Sequence, residues 1–239
     1  MTLQDQWWLM AGIVGLYLYD SALLLFHNEI VLEARRDGYL VSGGTAMEFR
    51  HRRLFLPNPL CPQRPLTRMA WRVDEPTEGM ARGLHGRRVR LTLSLIGPWT
   101  WLLLGLFFVG LPTTLWFGTE QLLLGWLALT YLAIALMLGR VWRYRKALNL
   151  TNLAVAALAF DGLLCAPFAI NMVRKISLRQ PHPTSLRALA AGTLSPAENT
   201  ALCRILRDRI QTSLAFHESD TAASDALRGY LKHFESRQS

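Results

Sequence analysis

The sequence predicts an all-α polytopic membrane protein with three firm transmembrane helices, a fourth apolar segment, a small insert of partial β character and a C-terminal helical hairpin. Three observations lead there. First, 51% of the 239 residues are hydrophobic, and they are bunched: 7–26, 91–117 and 121–139 hold almost no charge. About 20 apolar residues cross a hydrocarbon core of roughly 30 Å. Second, all 26 Lys and Arg lie outside these stretches, twelve in 27–90, four in 140–149 and ten in 174–239. Third, 150–173 is mostly apolar yet carries Asp161 at its centre.

Residues 1–26 read as an outward N-terminus and a first span. MTLQDQ has no basic run, carries Asp5 and precedes no small-residue cleavage site, so it is not a cleavable signal peptide. Trp7, Trp8 and Trp116 fall at one interface and Trp142 at the other, as in an aromatic belt. Positive residues near span ends stay cytoplasmic, which places 27–90 and 140–149 inside and the turn Gly118-Thr119-Glu120 outside. Arg outnumbers Lys 23 to 3, a bias of GC-rich bacterial genomes, so the expected location is a bacterial inner membrane. Orientation and contact with anionic headgroups account for the net charge of +9 and the pI near 10.1 without nucleic acid.

In the insert 27–90, EIVLEAR and YLVSGG flank an Arg-Asp-Gly turn and read as a strand pair; a helix continuing to Arg36 is the alternative. In LPNPLCPQRP, Pro57, Pro59, Pro62 and Pro65 disfavour helix and favour extended or polyproline backbone. That strip is either a rigid linker or a docking site for a partner. Arg82, Arg87, Arg88 and Arg90 form a basic collar for lipid headgroups, worth about 1 kcal/mol each. Residues 91–139 read as a helical hairpin, kinked near Pro98 and Pro112, with Gly97, Gly105 and Gly110 as small contact positions.

Within 140–173, the stretch LAFDGLLCAPFAIN either spans or re-enters. As a span it would carry Arg174, Lys175 and Arg179 to the outer side, against the charge rule, so the re-entrant form is favoured. The tail 174–239 is expected to be cytoplasmic. LSPAEN opens a helix with Ser195 as N-cap and Glu198 closing a capping box. Leu202, Leu206, Ile210 and Leu214 share a face of it; a second helix over 221–235 presents Leu227, Tyr230 and Phe234. These faces need a cover, supplied by the insert, the bilayer or another protein. Leu206, Ile210, Leu227 and Phe234 are therefore candidate docking residues.

Chemistry-bearing residues are few. Intramembrane acids are candidate functional groups. Asp20 and Asp161, with Asn152 and His27 in principle nearby, could form a proton or cation site; alternatively each acid caps a broken helix or pairs with an interfacial arginine. The six histidines show no metal-ligand spacing, Cys61, Cys165 and Cys203 share no metal or redox spacing, and no nucleotide, hydrolase or kinase motif is present. No metal, cofactor or catalytic residue is expected. Two classes of function follow: a non-catalytic accessory, assembly or scaffold subunit of a membrane complex, whose partners are the bilayer and another membrane or cytoplasmic protein, or a small oligomeric transporter, channel or lipid-handling component built on Asp20 and Asp161.

Overall fold

The structure, a computed structural model, describes residues 3–35, 38–50, 52–71, 83–180, 186, 189–190, 194–216 and 221–235; the side chains of 3–5, 83–88, 215–216, 221, 223 and 233–235 lie outside that description. The chain divides into two discontinuous units. One comprises Met1–Ala22, Pro57–Pro65 and Leu84–Gln180; the other comprises Leu23–Leu56, Leu66–Gly83 and Pro181–Ser239.

The first unit is helical: α1 (Leu3–Ser21), α2 (Gly83–Ser94), α3 (Gly97–Gly105), a π-helical turn (Leu106–Gly110), α4 (Leu111–Phe117), α5 (Glu120–Arg143), α6 (Asn152–Leu164), a 3-10 run (Ala166–Asn171) and α7 (Met172–Leu178). Its core joins Tyr17, Ile96, Phe107, Ile134, Leu158 and Ile170. Pro98 lies in the first turn of α3, where a missing N–H costs nothing. Pro112 cannot donate inside a continuous helix, and the π turn sits just before it. There the Leu106 carbonyl accepts from the Leu111 N–H and from Trp126 Nε1 at 2.7 Å. Gly110 admits the indole: a Cβ there would lie 3.2 Å from Trp126 Cδ1. Gly118, at φ +65°, ends α4 in the left-handed cap that glycine adopts without strain, and Thr119 in extended backbone starts α5.

The segment LAFDGLLCAPFAIN does not form one helix. Thr151 caps α6, its hydroxyl oxygen accepting from the Ala154 N–H at 3.1 Å. Pro167 has no N–H for the Leu163 carbonyl four residues back, which instead accepts from the Tyr131 hydroxyl at 3.3 Å. The chain breaks at Cys165 and continues through the 3-10 run into α7.

These elements correct the expected fold class. Among the described residues only two helical stretches are long and apolar enough to cross a membrane, Val89–Phe117 and Glu120–Arg143, not three or four. Gln4, Asp5 and Gln6 dilute the first turn of α1, and the helix stops at Ser21. Leu23–Leu25, counted as part of that span, form a β-strand. The expected outward N-terminus rested on that span. The fourth segment yields a 13-residue helix, too short to cross. Nor is the protein all-α: it contains two three-stranded antiparallel sheets.

Both sheets belong to the second unit. One has strand order β3-β2-β6, with β2 (Glu29–Arg35) between β3 (Gly38–Ser42) and β6 (Leu66–Ala70). The strand pair read in EIVLEAR and YLVSGG is this β2–β3 hairpin, in register Arg35 with Gly38 and Leu32 with Val41. Four successive residues of β2, Ile30 to Glu33, are buried, as a central strand covered on both faces requires. The second sheet has order β1-β5-β4, from β1 (Leu23–Leu25), β5 (Arg52–Phe55) and β4 (Glu48–Phe49). The described residues of the unit include two long helices, α8 (Pro196–Phe216) and α9 (Thr221–Glu235).

The capping box in LSPAEN forms. The Ser195 N–H donates to Glu198 Oε2 at 2.6 Å, and the Glu198 N–H donates to Ser195 Oγ at 3.4 Å. Glu198 Oε1 also accepts from the Tyr39 N–H, fastening α8 to β3. Partial burial raises the Glu198 pKa, but the N–H donors of Tyr39 and Ser195 and the Ser195 hydroxyl outweigh it and hold the carboxyl below its ordinary value. A carboxylate with a depressed folded pKa contributes stability above its unfolded pKa and loses it as pH falls through the folded one. Urea midpoints of the wild type should therefore drop on acidification below the ordinary glutamate range, and Glu198→Gln should flatten that part of the profile. An unchanged profile would remove Glu198 from the acid response.

Candidate functional site

Several polar groups buried in the first unit, Ser21, Asn171 and Arg174 among them, converge where the 3-10 run meets α7. Arg174 is 3% exposed. Its Nη2 donates to the carbonyls of Asn58 at 2.6 Å and Cys61 at 3.0 Å; its Nη1 donates to Asn171 Oδ1 at 3.1 Å and Ser21 Oγ at 3.4 Å. The Asn171 amide fills all four of its hydrogen-bonding positions. Its nitrogen donates to Asp20 Oδ2 at 3.0 Å and the Tyr17 carbonyl at 3.3 Å; its oxygen accepts from Arg174 and from Ser21 Oγ at 3.0 Å. The Tyr17 hydroxyl donates to the Pro59 carbonyl at 2.5 Å. The network thus ties α1 and α7 to the backbone of the proline-rich loop.

Beside it, Lys175 bridges the two acids singled out from sequence. Its Nζ lies 2.8 Å from Asp20 Oδ1 and 3.5 Å from Asp161 Oδ2, and 4.7 Å from the Phe168 ring centroid. Asp20 and Asp161 are therefore brought together, 141 positions apart in sequence, by one ammonium group. Asn152 is not among them: it is exposed, and its Oδ1 accepts from Arg145 Nε at 3.0 Å. His27 is an exposed residue of the turn between β1 and β2, in the other unit. Arg174, Asn171, Ser21 and Tyr17 were not anticipated. Their one signal was the basic pair Arg174-Lys175 directly behind an apolar segment that carries an acid.

The proline loop is compact rather than extended. Asn58 Oδ1 accepts from the Leu60 N–H at 3.0 Å, and turns close from Cys61 N–H to the Asn58 carbonyl and from Arg64 N–H to the Cys61 carbonyl. Side-chain and carbonyl capture by asparagine wins over the polyproline preference. Pro57 and Pro62 are buried, Pro59 and Pro65 half-buried. Of the basic collar, Arg82 and the side chains of Arg87 and Arg88 lie outside the described residues; Arg90 is exposed. In the second unit Leu206 and Ile210 are fully buried in a core with Ile30, Leu32 and Met69, so the cover they require is the sheet β3-β2-β6. Leu227 packs half-buried against the same core, and the Phe234 side chain lies outside the described residues.

Arg209 of α8 reaches the Gly43 carbonyl, and burial, assisted by the nearby charge of Arg53, lowers its pKa to about 10; it stays protonated at neutral pH. Among the described residues no group of His, Cys, Asp or Glu is placed to hold a metal ion. The arrangement around Arg174 balances its own charge, two cations against two carboxylates, and Arg174 donates to two loop carbonyls. Chemically it is a staple that fixes a loop. Compared with known protein families, with curated proteins and with solved structures, the chain matches none.

Proposed function

We propose that the protein is a membrane-integrated, non-catalytic accessory subunit: a helical hairpin over 89–117 and 120–143 anchors it, and the second unit is presented on the cytoplasmic side of a bacterial inner membrane. The observation that carries the anchor is the outward face of α5. Only 22% of its most apolar 18 residues is buried, and over the whole helix the buried residues are Thr130, Ala133, Ile134, Met137 and Val141. Leu122, Leu124, Leu129, Leu132 and Leu136 are exposed. A core helix of a water-soluble protein would bury such a face; hydrocarbon would cover it in a bilayer. The ends fit interfaces. Trp116 is 85% exposed near the turn, and at the basic end Arg140 lies 5.4 Å from the Trp99 ring and Arg145 4.3 Å from that of Trp142.

The accessory reading is favoured over transport because Asp20 and Asp161 are already engaged by Lys175. Two spanning helices also enclose no path by themselves. Wild-type protein should resist alkaline carbonate extraction from membranes. Leu132→Arg places a charge at mid-helix, an insertion cost of about 2.5–3.5 kcal/mol, and should lower the carbonate-resistant fraction. On a water-exposed surface the same change would be neutral within ~0.5 kcal/mol. Extraction of the wild type by carbonate would sink the anchor. Native gels of gently solubilised membranes test the subunit role: migration well above the 27.0 kDa of one chain, with further proteins in the band, is expected, and migration as one or two bare copies would overturn it.

A further inference from the structure

The sheet β1-β5-β4 has two unlike faces, and the register assigns them. Leu23 pairs with Phe55, Leu24 with Leu54, Leu25 with Arg53; Glu48 pairs with Arg53 and Phe49 with Arg52. Directly paired residues share a face, and faces alternate along each strand. One face therefore holds Leu25, Phe55 and Arg53. Leu25 and Phe55 are buried, and Arg53 pairs with Asp208 of α8 at 2.6 Å. The other face holds Leu24, Leu54, Phe49 and Arg52, joined one residue on by Phe26.

That second face is open and apolar, with guanidinium groups laid on its rings. Phe26 is 40% and Phe49 59% exposed. Arg52 lies 4.1 Å from the Phe26 ring centroid, Arg68 6.0 Å from the same ring, and Arg50 5.6 Å from the Phe49 ring. Arg68 is held by Glu29 and the Leu24 carbonyl. Among the described residues neither Arg50 nor Arg52 is in an ion pair. A guanidinium held over a ring face makes no hydrogen bond to it through its N–H groups, and those donors match the oxygens of a phosphate. Rings and leucines beside such donors have the composition of a surface resting at the depth of lipid headgroups, with carbon below and phosphate alongside.

We propose that this face is a membrane-interface surface for anionic lipid: Phe26, Phe49 and Leu24 enter the interface while Arg50 and Arg52 engage lipid phosphates. The proposal rests on the membrane-integrated reading above. Charge complementarity selects the occupant, because cytoplasmic leaflets are negative and each basic residue near them gains attraction. Leucine contributes little to stacking on bases, which favours lipid over nucleic acid.

The test is spin-label accessibility in the full-length protein, made cysteine-free and reconstituted in vesicles of phosphatidylglycerol mixed with phosphatidylcholine, or of phosphatidylcholine alone. Single cysteines replace Phe49, Leu132 as the hairpin reference, and Arg228, whose side chain is 70% exposed, as the aqueous reference. Expected on anionic vesicles is a label at 49 shielded from a water-soluble nickel complex and open to oxygen, and in neutral vesicles a return towards the value at 228. Arg50→Gln with Arg52→Gln should remove the anionic preference, on the order of fivefold for each arginine. A label at 132 in hydrocarbon with one at 49 aqueous on both vesicles overturns this proposal and leaves the anchor standing. A label at 132 in water overturns both. Equal shielding in both lipids overturns the anionic preference. Shielding from nickel and oxygen alike assigns the face to protein, and immobilisation only on adding single-stranded RNA assigns it to nucleic acid; either overturns the lipid proposal.

Discussion

Arg174→Met should destabilise the helical unit by on the order of 3–5 kcal/mol, the range for removing one member of a buried charged network. The side chains are close in volume, so packing is largely kept and the loss is polar. Replacing every member of such a network with apolar groups can be neutral, but that escape is closed. Two acceptors, the Asn58 and Cys61 carbonyls, are backbone and cannot be mutated away, and the Asn171 oxygen would keep only its Ser21 donor. Arg174→Lys offers one nitrogen where the guanidinium offers two directed edges, so it should recover only part of the loss. Two measurements check this. The melting temperature of detergent-solubilised protein should fall in the order wild type, Lys, Met. Cys61, half-buried in the released loop, should react faster with a thiol reagent in the Met variant. Unchanged melting and unchanged Cys61 reactivity would mean the loop is held by something other than Arg174.

The same residue marks what sequence could and could not disclose. Arg174-Lys175 was legible as a pair of charges that should not cross a membrane, and that use of it was topological. Its structural role depends on carbonyls at 58 and 61, and backbone carbonyls carry no sequence signature. Asp20 and Asp161 stand out in the sequence because acids within apolar segments are candidate functional groups. The alternative to a proton or cation site gave each an interfacial arginine as partner; the residue that reaches both is Lys175. Asn152 and His27 were added only as residues of suitable type, and the fold places both elsewhere.

The fold was legible where the signal was local. The β2–β3 strand pair and the capping box at Ser195 are legible in patterns of a few residues, and the hairpin of 91–139 and the amphipathic faces of α8 and α9 in the hydropathy of single continuous segments. The first span misled because WWLMAGIVGLYLYDSALLLF counts as one apolar run by composition. Its last leucines leave the helix to pair with Arg53, Leu54 and Phe55, thirty residues away. Tertiary pairing of this kind overrides hydropathy and cannot be seen in a window of 20 residues. The fourth segment, read as spanning or re-entrant, is a helix that breaks at Cys165, where Pro167 deprives Leu163 of its donor.

Leu206→Ala should cost about 2–5 kcal/mol in the second unit, the range for emptying a fully buried leucine site. Sequence offered Leu206 and Ile210 as residues that some surface must cover. The structure makes that surface the unit's own sheet, with Leu206, Ile210, Ile30 and Leu32 each at 0% exposure. The two roles predict different outcomes. A residue kept for an external partner is solvent-exposed in the free protein, and its truncation shifts stability by no more than ~0.5 kcal/mol. A core residue opens a cavity that rigid neighbours cannot fill, and β2, pinned on both edges by β3 and β6, has little room to collapse inward. Hydrogen exchange separates them. Amides of Ile30 to Glu33 are bonded in the ladder, so their protection tracks opening of the unit. In Leu206→Ala that protection should fall by roughly 30-fold or more, the equivalent of the lower bound on the cavity cost. Leu206→Met, which conserves volume, should lose far less. Protection of β2 that is equal in Leu206→Ala and wild type would show that α8 contributes nothing to the sheet's stability and would return its apolar face to the role of a docking surface.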